Sequence, residues 1–374
     1  MKIAIDCHTL EIGDWAGKEQ LVASLIKELS LADERNEYCL YFRHRVSRLV
    51  ALPPNFKVLA MGIPTPFWQL AVLWDMFFNK VDLLYVPCTY LLPAINFFIP
   101  QVVNVCDMIT FLPGVSASHK RSTRLRERLL LKMAINNSRM VTVISQSTKR
   151  DLLSFFDIEE GKVTVVYPGA KGDFRIIDDR GYLNDISAKY ELPKKFILSV
   201  GTLEPRKNGI NLIKAYEKYV AETVDGDMNL VFVGKKGWFY DDLLRQAQES
   251  DLKNRIVFMD YVSDDDLAAF YNLAFCLAYP SFYEGFGLPI VEAMACGCPV
   301  VTSNTSSMPE IAGECAIIVD PNEPSRISDG FKRLAMDYAF RDGLVLGGLA
   351  RARIFTYKEM AKQWLKSIMD CVNR

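Results

Sequence analysis

Short apolar runs alternate with amphipathic stretches along the whole chain, and the alternation starts twice. Ile3–Ile5 reads as a buried strand. Glu19–Leu29 carries Leu21, Val22, Leu25, Ile26 and Leu29 at helical spacing. Val102–Val105, Met140–Ile144 and Val163–Tyr167 read as further strands, with helices over Arg124–Ala134 and Gln146–Phe155. This order predicts a parallel sheet covered by helices on both faces. A polar stretch, Lys171–Lys189, then reads as a linker and a short helix. Phe196–Val200 opens a second series, continued by Leu230–Val233, Ile256–Phe258, Phe275–Ala278, Val300–Thr302 and Ile317–Val319. The expected class is α/β, with two Rossmann-like βαβ domains facing across a cleft, residues 1–172 and 173–356. Parallel sheets bind ligands at the carboxyl ends of their strands, so two such edges suit two substrates.

A chain of 374 residues, half of them hydrophobic, is long enough for two real cores. The net charge of -1 gives no pull toward nucleic acid. Nine cysteines, with Cys296 and Cys298 as an isolated C-x-C, read as small core residues in a reducing compartment rather than as a zinc site. The stretch from Val81 to Cys106 is broken by Pro87, Pro93 and Pro100, and that from Ala60 to Phe78 by Pro64, Pro66 and Asp75. Neither supplies the roughly 20 unbroken apolar residues of a membrane span. The N-terminus reads as a strand ending at Asp6 rather than as a secretory signal. The expectation is a cytoplasmic protein, soluble or peripheral on the inner membrane leaflet.

Two motifs carry chemistry. In Pro280-Ser-Phe-Tyr-Glu-Gly-Phe-Gly-Leu-Pro-Ile-Val-Glu292, a strand ending near Tyr279 turns through Gly285 and Gly287 into a helix with Pro289 at its start. The free N–H groups of a helix start suit a diphosphate, and Glu284 and Glu292 can accept from sugar hydroxyls. In Val200-Gly201-Thr-Leu-Glu-Pro-Arg206-Lys207-Asn208, two adjacent cations sit at a strand's carboxyl end. A planar guanidinium fork and a point charge suit phosphate oxygens and could replace Mg²⁺ there. Taken alone, each motif also fits a solvated turn.

Together these segments resemble the family 4 retaining glycosyltransferases of GT-B fold, mannosyltransferases among them. Glu284 and Glu292 match the family's E-x7-E element, and Phe196–Asn208 its phosphate-binding loop. Val141–Leu152, Val165–Ala170 and Arg255–Leu267 match three further segments. The resemblance implies that Arg206 and Lys207 hold the donor diphosphate, with Gly17 and Gly201 beside it. It implies that Glu292 takes the ribose and that Val262 meets the base through its backbone. Glu284, with the amides of Phe286, Gly287 and Leu288, would hold the transferred sugar. Arg206, Lys207 and Glu284 are the catalytic candidates, no metal or other cofactor is expected, and the last helix, 357–374, is expected to cross back to the first domain. Many members carry a His before the acid that is Asp107 here. This chain has Cys106, whose thiol cannot duplicate the two imidazole nitrogens, so Cys106 and Asp107 are placed only near the sugar or acceptor. His8, His44 and His119 match no motif and read as structural or surface residues.

A basic segment, Lys120, Arg121, Arg124, Arg128 and Lys132 at near-helical spacing, fits an anionic membrane surface or a pyrophosphate-bearing acceptor, or an ordinary solvated helix face. The reading is transfer of a hexose, mannose from GDP-mannose by preference, to a glycan or lipid-linked glycan. The alternatives are a UDP-sugar-dependent transferase, a GT-B nucleotide-sugar epimerase and a non-catalytic GT-B binding module. The last would be expected to have lost Arg206, Lys207, Glu284 or Glu292, all of which are present.

Overall fold

The computed structural model describes residues 1–11, 17–44, 51–64, 67–112, 121–223 and 226–372, with only the backbone for 121–123. The chain divides into two units. Met1–Pro168 with Tyr357–Arg374 forms one, and Gly169–Thr356 the other. The division thus falls after Pro168, where the sequence placed it after residue 172.

In the first unit, seven parallel strands lie in the order β3-β2-β1-β4-β5-β6-β7. They are β1 (Lys2–Asp6), β2 (Glu37–Phe42), β3 (Phe56–Ala60), β4 (Leu83–Val86), β5 (Gln101–Val105), β6 (Met140–Val143) and β7 (Val163–Val165). Helices α1 (Lys18–Ala32), α2 (Phe67–Phe78), α3 (Leu91–Ile95), α4 (Arg121–Asn137) and α5 (Gln146–Phe155) connect them. The side-chain alternation of the strands divides the core in two. Leu84, Val86, Val103, Val105, Val141 and Val143 face one way and pack with Trp68, Val72 and Met76 of α2, Leu92 of α3, and Leu131, Ala134 and Ile135 of α4. Tyr85 faces the other way and meets Trp364 of the last helix at 5.0 Å between rings.

The second unit begins with α6 (Arg180–Lys189), whose cap Asp179 accepts from the Tyr182 N–H at 3.0 Å. Its six parallel strands are β8 (Phe196–Val200), β9 (Asn229–Val233), β10 (Ile256–Met259), β11 (Cys276–Tyr279), β12 (Val300–Ser303) and β13 (Ile317–Val319). They run in the order β10-β9-β8-β11-β12-β13. From β8 the chain builds outward one way and from β11 the other. The crevice at such a reversal is where open α/β sheets bind ligands. The helices are α7 (Gly209–Glu222), α8 (Tyr240–Glu249), α9 (Asp264–Leu273), α10 (Leu288–Ala295), α11 (Met308–Ala312), α12 (Pro324–Met336) and α13 (Tyr338–Ala352). The final helix, α14 (Tyr357–Val372), belongs to the first unit, where it packs along α1. Among the described residues no helix is long and apolar enough to cross a membrane.

Candidate active site

The reversal between β8 and β11 gathers the two motifs. After β8 the chain passes Gly201 and makes a tight turn over Pro205–Lys207. Asn208 ends that turn, its side-chain amide donating to the carbonyls of Pro280, at 3.0 Å, and Pro321, at 2.6 Å. The Phe282 N–H donates to the Arg206 carbonyl at 2.8 Å. These bonds pin the loop after β8 to the loop after β11, and the side chains meet as a result. Arg206 Nη1 lies 2.6 Å from Glu284 Oε2, and its Nε pairs with Glu204. Lys207 Nζ lies 2.6 Å from Glu284 Oε1 and donates to the Tyr279 hydroxyl at 2.6 Å.

Glu284 is buried. Burial alone would raise its pKa, but the Lys207 ammonium and the Arg206 guanidinium outweigh it and hold the carboxyl at about 2. Burial also pushes the Lys207 ammonium below its usual value, against the pull of Glu284. Arg206 is driven higher still: the carboxylates of Glu284 and Glu204 overcome the cost of its burial. The cluster is therefore two cations facing two carboxylates, close to charge-neutral without a ligand. The sequence placed Arg206 and Lys207 facing a ligand but did not foresee that Glu284 stands between them. It also passed over Glu204, although that residue lies inside the quoted motif.

Past Glu284 the chain turns at Gly287, whose φ of 99° is a conformation that side chains other than glycine's rarely accept. Helix α10 starts at Leu288, one residue before Pro289. Ser306 and Ser307 hold the turn, donating to the Glu284 carbonyl at 2.5 and 2.9 Å, and Ser307 also to the Phe286 carbonyl at 2.8 Å. Glu292, one turn into α10, accepts from the Tyr271 hydroxyl at 2.9 Å and feels the Lys207 ammonium at longer range. Burial, reinforced by the Asp264 carboxylate and opposed by Tyr271 and Lys171, pushes its pKa up to about 7. Val262 is buried between β10 and the Ser263 that caps α9.

The remaining candidates lie in the first unit. Gly17 precedes α1, and Lys18, which the sequence reading did not single out, pairs with Asp107 at 3.5 Å. Asp107 raises the Lys18 pKa above its ordinary value against the cost of burial. Cys106 is buried at the end of β5 and accepts from Asn104 Nδ2 at 3.3 Å. The Cys88 thiol lowers the Cys106 pKa by hydrogen bonding, against burial, and Lys18 adds to the effect. At the end of β1, His8 Nδ1 lies 2.6 Å from Asp6 Oδ1, and Thr89 donates to Asp6 Oδ2 at 3.0 Å. His119 and Lys120 lie outside the described residues.

Residues 184–345 match the family model described as Glycosyl transferases group 1. The chain is a group 1 glycosyltransferase. The transferase is 29% identical over 283 residues to an O-antigen chain mannosyltransferase B of Escherichia coli, covering 74% of each chain. It is 31% identical over 278 residues to the serotype-specific mannosyltransferase WbdA of Escherichia coli, covering 73% of this chain and 34% of that one. It thus spans about a third of WbdA's length. The Anabaena Alr3699/HepE protein in complex with UDP-glucose superposes with a TM-score of 0.77 over 99% of this chain and 100% of that one, at 18% identity. The fold of this glycosyltransferase is accordingly GT-B.

Proposed function

We propose that this transferase moves a mannosyl residue from GDP-mannose to a hydroxyl of a growing polysaccharide or lipid-linked glycan, with retention at the anomeric carbon. The observation that carries the reading is the cluster of buried Glu284 with half-buried Arg206 and Lys207 beside the start of α10, at the strand-order reversal of the second unit. Cations there can take up the negative charge that appears as a nucleotide diphosphate leaves, the role a divalent metal plays elsewhere. The names of the two Escherichia coli relatives support mannose and polysaccharide biosynthesis. In this mechanism the bond from the anomeric carbon to the phosphate oxygen breaks, and its electron pair stays on the phosphate. The acceptor oxygen bonds to that carbon from the same face, and its proton passes to the departing phosphate. Glu292 accepts from the ribose, and the amides at Phe286, Gly287 and Leu288 face the phosphate and sugar. In the first unit, Arg124, Arg128 and Lys132 of α4 provide a basic surface for an anionic leaflet or an acceptor pyrophosphate, and the protein works on the cytoplasmic face.

A thermal-shift series with GDP-mannose, UDP-glucose and UDP-galactose tests the donor. Binding stabilises by about 2.7 kcal/mol at a hundredfold excess over Kd, so GDP-mannose should raise the melting temperature most. A larger shift with a UDP-sugar overturns the GDP-mannose assignment, and no shift with any donor overturns the site. Turnover with the winning donor should survive EDTA. Loss on chelation with recovery in Mg²⁺ would refute the role given to Arg206 and Lys207.

A further inference from the structure

Helix α2 is apolar on both sides. Trp68, Val72 and Met76 point into the core of the first unit. Phe67, Leu70, Trp74, Phe77 and Phe78 lie on the outer side, each more than half exposed, with Trp74 at 69%. Phe67, Leu70, Trp74 and Phe77 follow one another at steps of three and four, and Phe78 lies four after Trp74, so they form a stripe along the helix. The charged residue of α2 is Asp75, whose carboxylate accepts from the Tyr41 hydroxyl at 2.8 Å. The rings pack on one another at the surface, Trp74 against Phe78 at 4.8 Å and Phe77 against Phe78 at 5.6 Å. Phe97 and Phe98, in the connection from α3 to β5, are 68% and 79% exposed. Helices α2, α3 and α4 share one core and thus cover one side of the sheet, with α3 lying along α4. On α4, Leu125 and Leu129 are exposed beside Arg126, Arg128 and Lys132.

We propose that the outer surface of this helix layer is a membrane-docking face. On it α2, with Phe97 and Phe98, enters the interfacial zone of an anionic bilayer while the cations of α4 lie over the headgroups. An apolar patch of this extent on a soluble surface marks an interaction site. The composition selects the occupant: aromatic rings suit the bilayer interface, and α4 carries Arg121, Arg124, Arg126, Arg128 and Lys132 against the single acid Glu127. A second copy meeting this face with its own same face would set cations against cations, whereas anionic headgroups supply the counter-charge. Twelve residues make a helix of about 18 Å, too short to span a bilayer, so α2 lies in the plane of the surface. The charge argument rests on the lipid-facing reading of α4; the aromatic face is an independent observation.

The test uses the full chain with vesicles of phosphatidylglycerol and phosphatidylcholine, and of phosphatidylcholine alone. Wild type should co-sediment with the anionic vesicles. Trp74→Ser/Phe77→Ser/Phe78→Ser should bind roughly tenfold more weakly or worse, since three rings leave the lipid. Arg124→Gln/Arg126→Gln/Arg128→Gln should weaken binding mainly at low salt. Tryptophan emission should move to shorter wavelength on anionic vesicles and be quenched by brominated lipid. Trp74→Phe should keep the binding and lose most of that change. Donor thermal shifts should be the same in all variants, so a missing donor response counts against the proposed function and not against this face. An aromatic triple variant that binds as wild type does, or emission that vesicles leave unmoved, overturns the proposal. So does self-association of the lipid-free protein that the aromatic triple variant abolishes, which would assign the face to a second copy.

Discussion

Glu284→Gln should cost the second unit about 3 kcal/mol at neutral pH. The carboxyl sits at about 2 in the folded protein against an ordinary 4.5, and each unit of difference is worth about 1.4 kcal/mol. Little of this is lost to solvent screening, because Glu284 is buried between Arg206 and Lys207. The folded value lies below the unfolded one. The stabilisation is therefore present in full above about 4.5 and is lost as the pH falls through about 2. An amide of the same shape removes the charge and leaves two half-buried cations with Glu204 as the remaining carboxylate, a loss toward the low end of the roughly 3–5 kcal/mol that breaking a buried pair costs. Urea unfolding followed by circular dichroism, with and without the substitution, measures the gap at pH 7 and again toward pH 3. The gap should be about 3 kcal/mol at pH 7 and should shrink on acidification. A gap under about 1 kcal/mol at pH 7, or one that does not change with acid, would refute the reasoning.

Arg206→Ala or Lys207→Ala should lower turnover by roughly 10²–10³ in a folded protein, about 2.7–4 kcal/mol of lost charge stabilisation; near-normal kcat/KM in both would remove them from the chemistry. Cys106→Ser should fold and keep most activity, and a loss beyond about a thousandfold, or 4 kcal/mol, would bring the thiol into the reaction. Cys106→His must fit a larger ring among Asn104, Cys88 and Lys18 and should lower the melting temperature through an overpacking cost of about 1–3 kcal/mol. Glu292, with a folded pKa raised to about 7, contributes most below about 4.5, and that contribution is lost as the pH rises through 7. Wild type should therefore lose more stability than Glu292→Gln between pH 5 and pH 8 in matched thermal melts, and equal losses would show that Glu292 does not titrate there.

The second unit was largely legible because each of its strands is a short apolar run set off by polar or glycine-bearing turns. Phe196–Val200 and Ile317–Val319 stand where the sequence placed them, and the other four differ by one residue at one end or, for β11, at both. The first unit was less so. Strands β2, β3 and β4 and helices α2 and α3 went unread: β4, α2 and α3 lie in stretches so uniformly apolar that no period stands out, and β2 and β3 are short runs between charged or proline-bearing turns. The prolines that argued against a membrane span turned out to punctuate elements: Pro87 follows β4 and Pro100 precedes β5. In the site, spacing located Arg206, Lys207, Glu284 and Glu292, but pairing across 77 or 78 positions is invisible to local pattern. The Glu284 bonds to the two cations, and the Lys18–Asp107 pair, needed the fold.

The second unit is an insertion within the first. The chain leaves the first unit at Pro168 and returns to it only at Tyr357, after 188 residues (169 to 356). The exit and return strands touch: the Ala170 N–H donates to the Phe355 carbonyl at 3.0 Å, and a side chain at Gly169 would strike Phe355 and Thr356 at 2.4 Å. On the ribosome the first unit is thus synthesised before the helix that completes it. Until Trp364 arrives against Tyr85, the face of β4 that it covers must wait uncovered. The inserted unit, whose sheet is contiguous in sequence, can close on its own meanwhile. Vectorial synthesis therefore delivers every residue of the later-made unit before the earlier-made one receives its closing helix, α14.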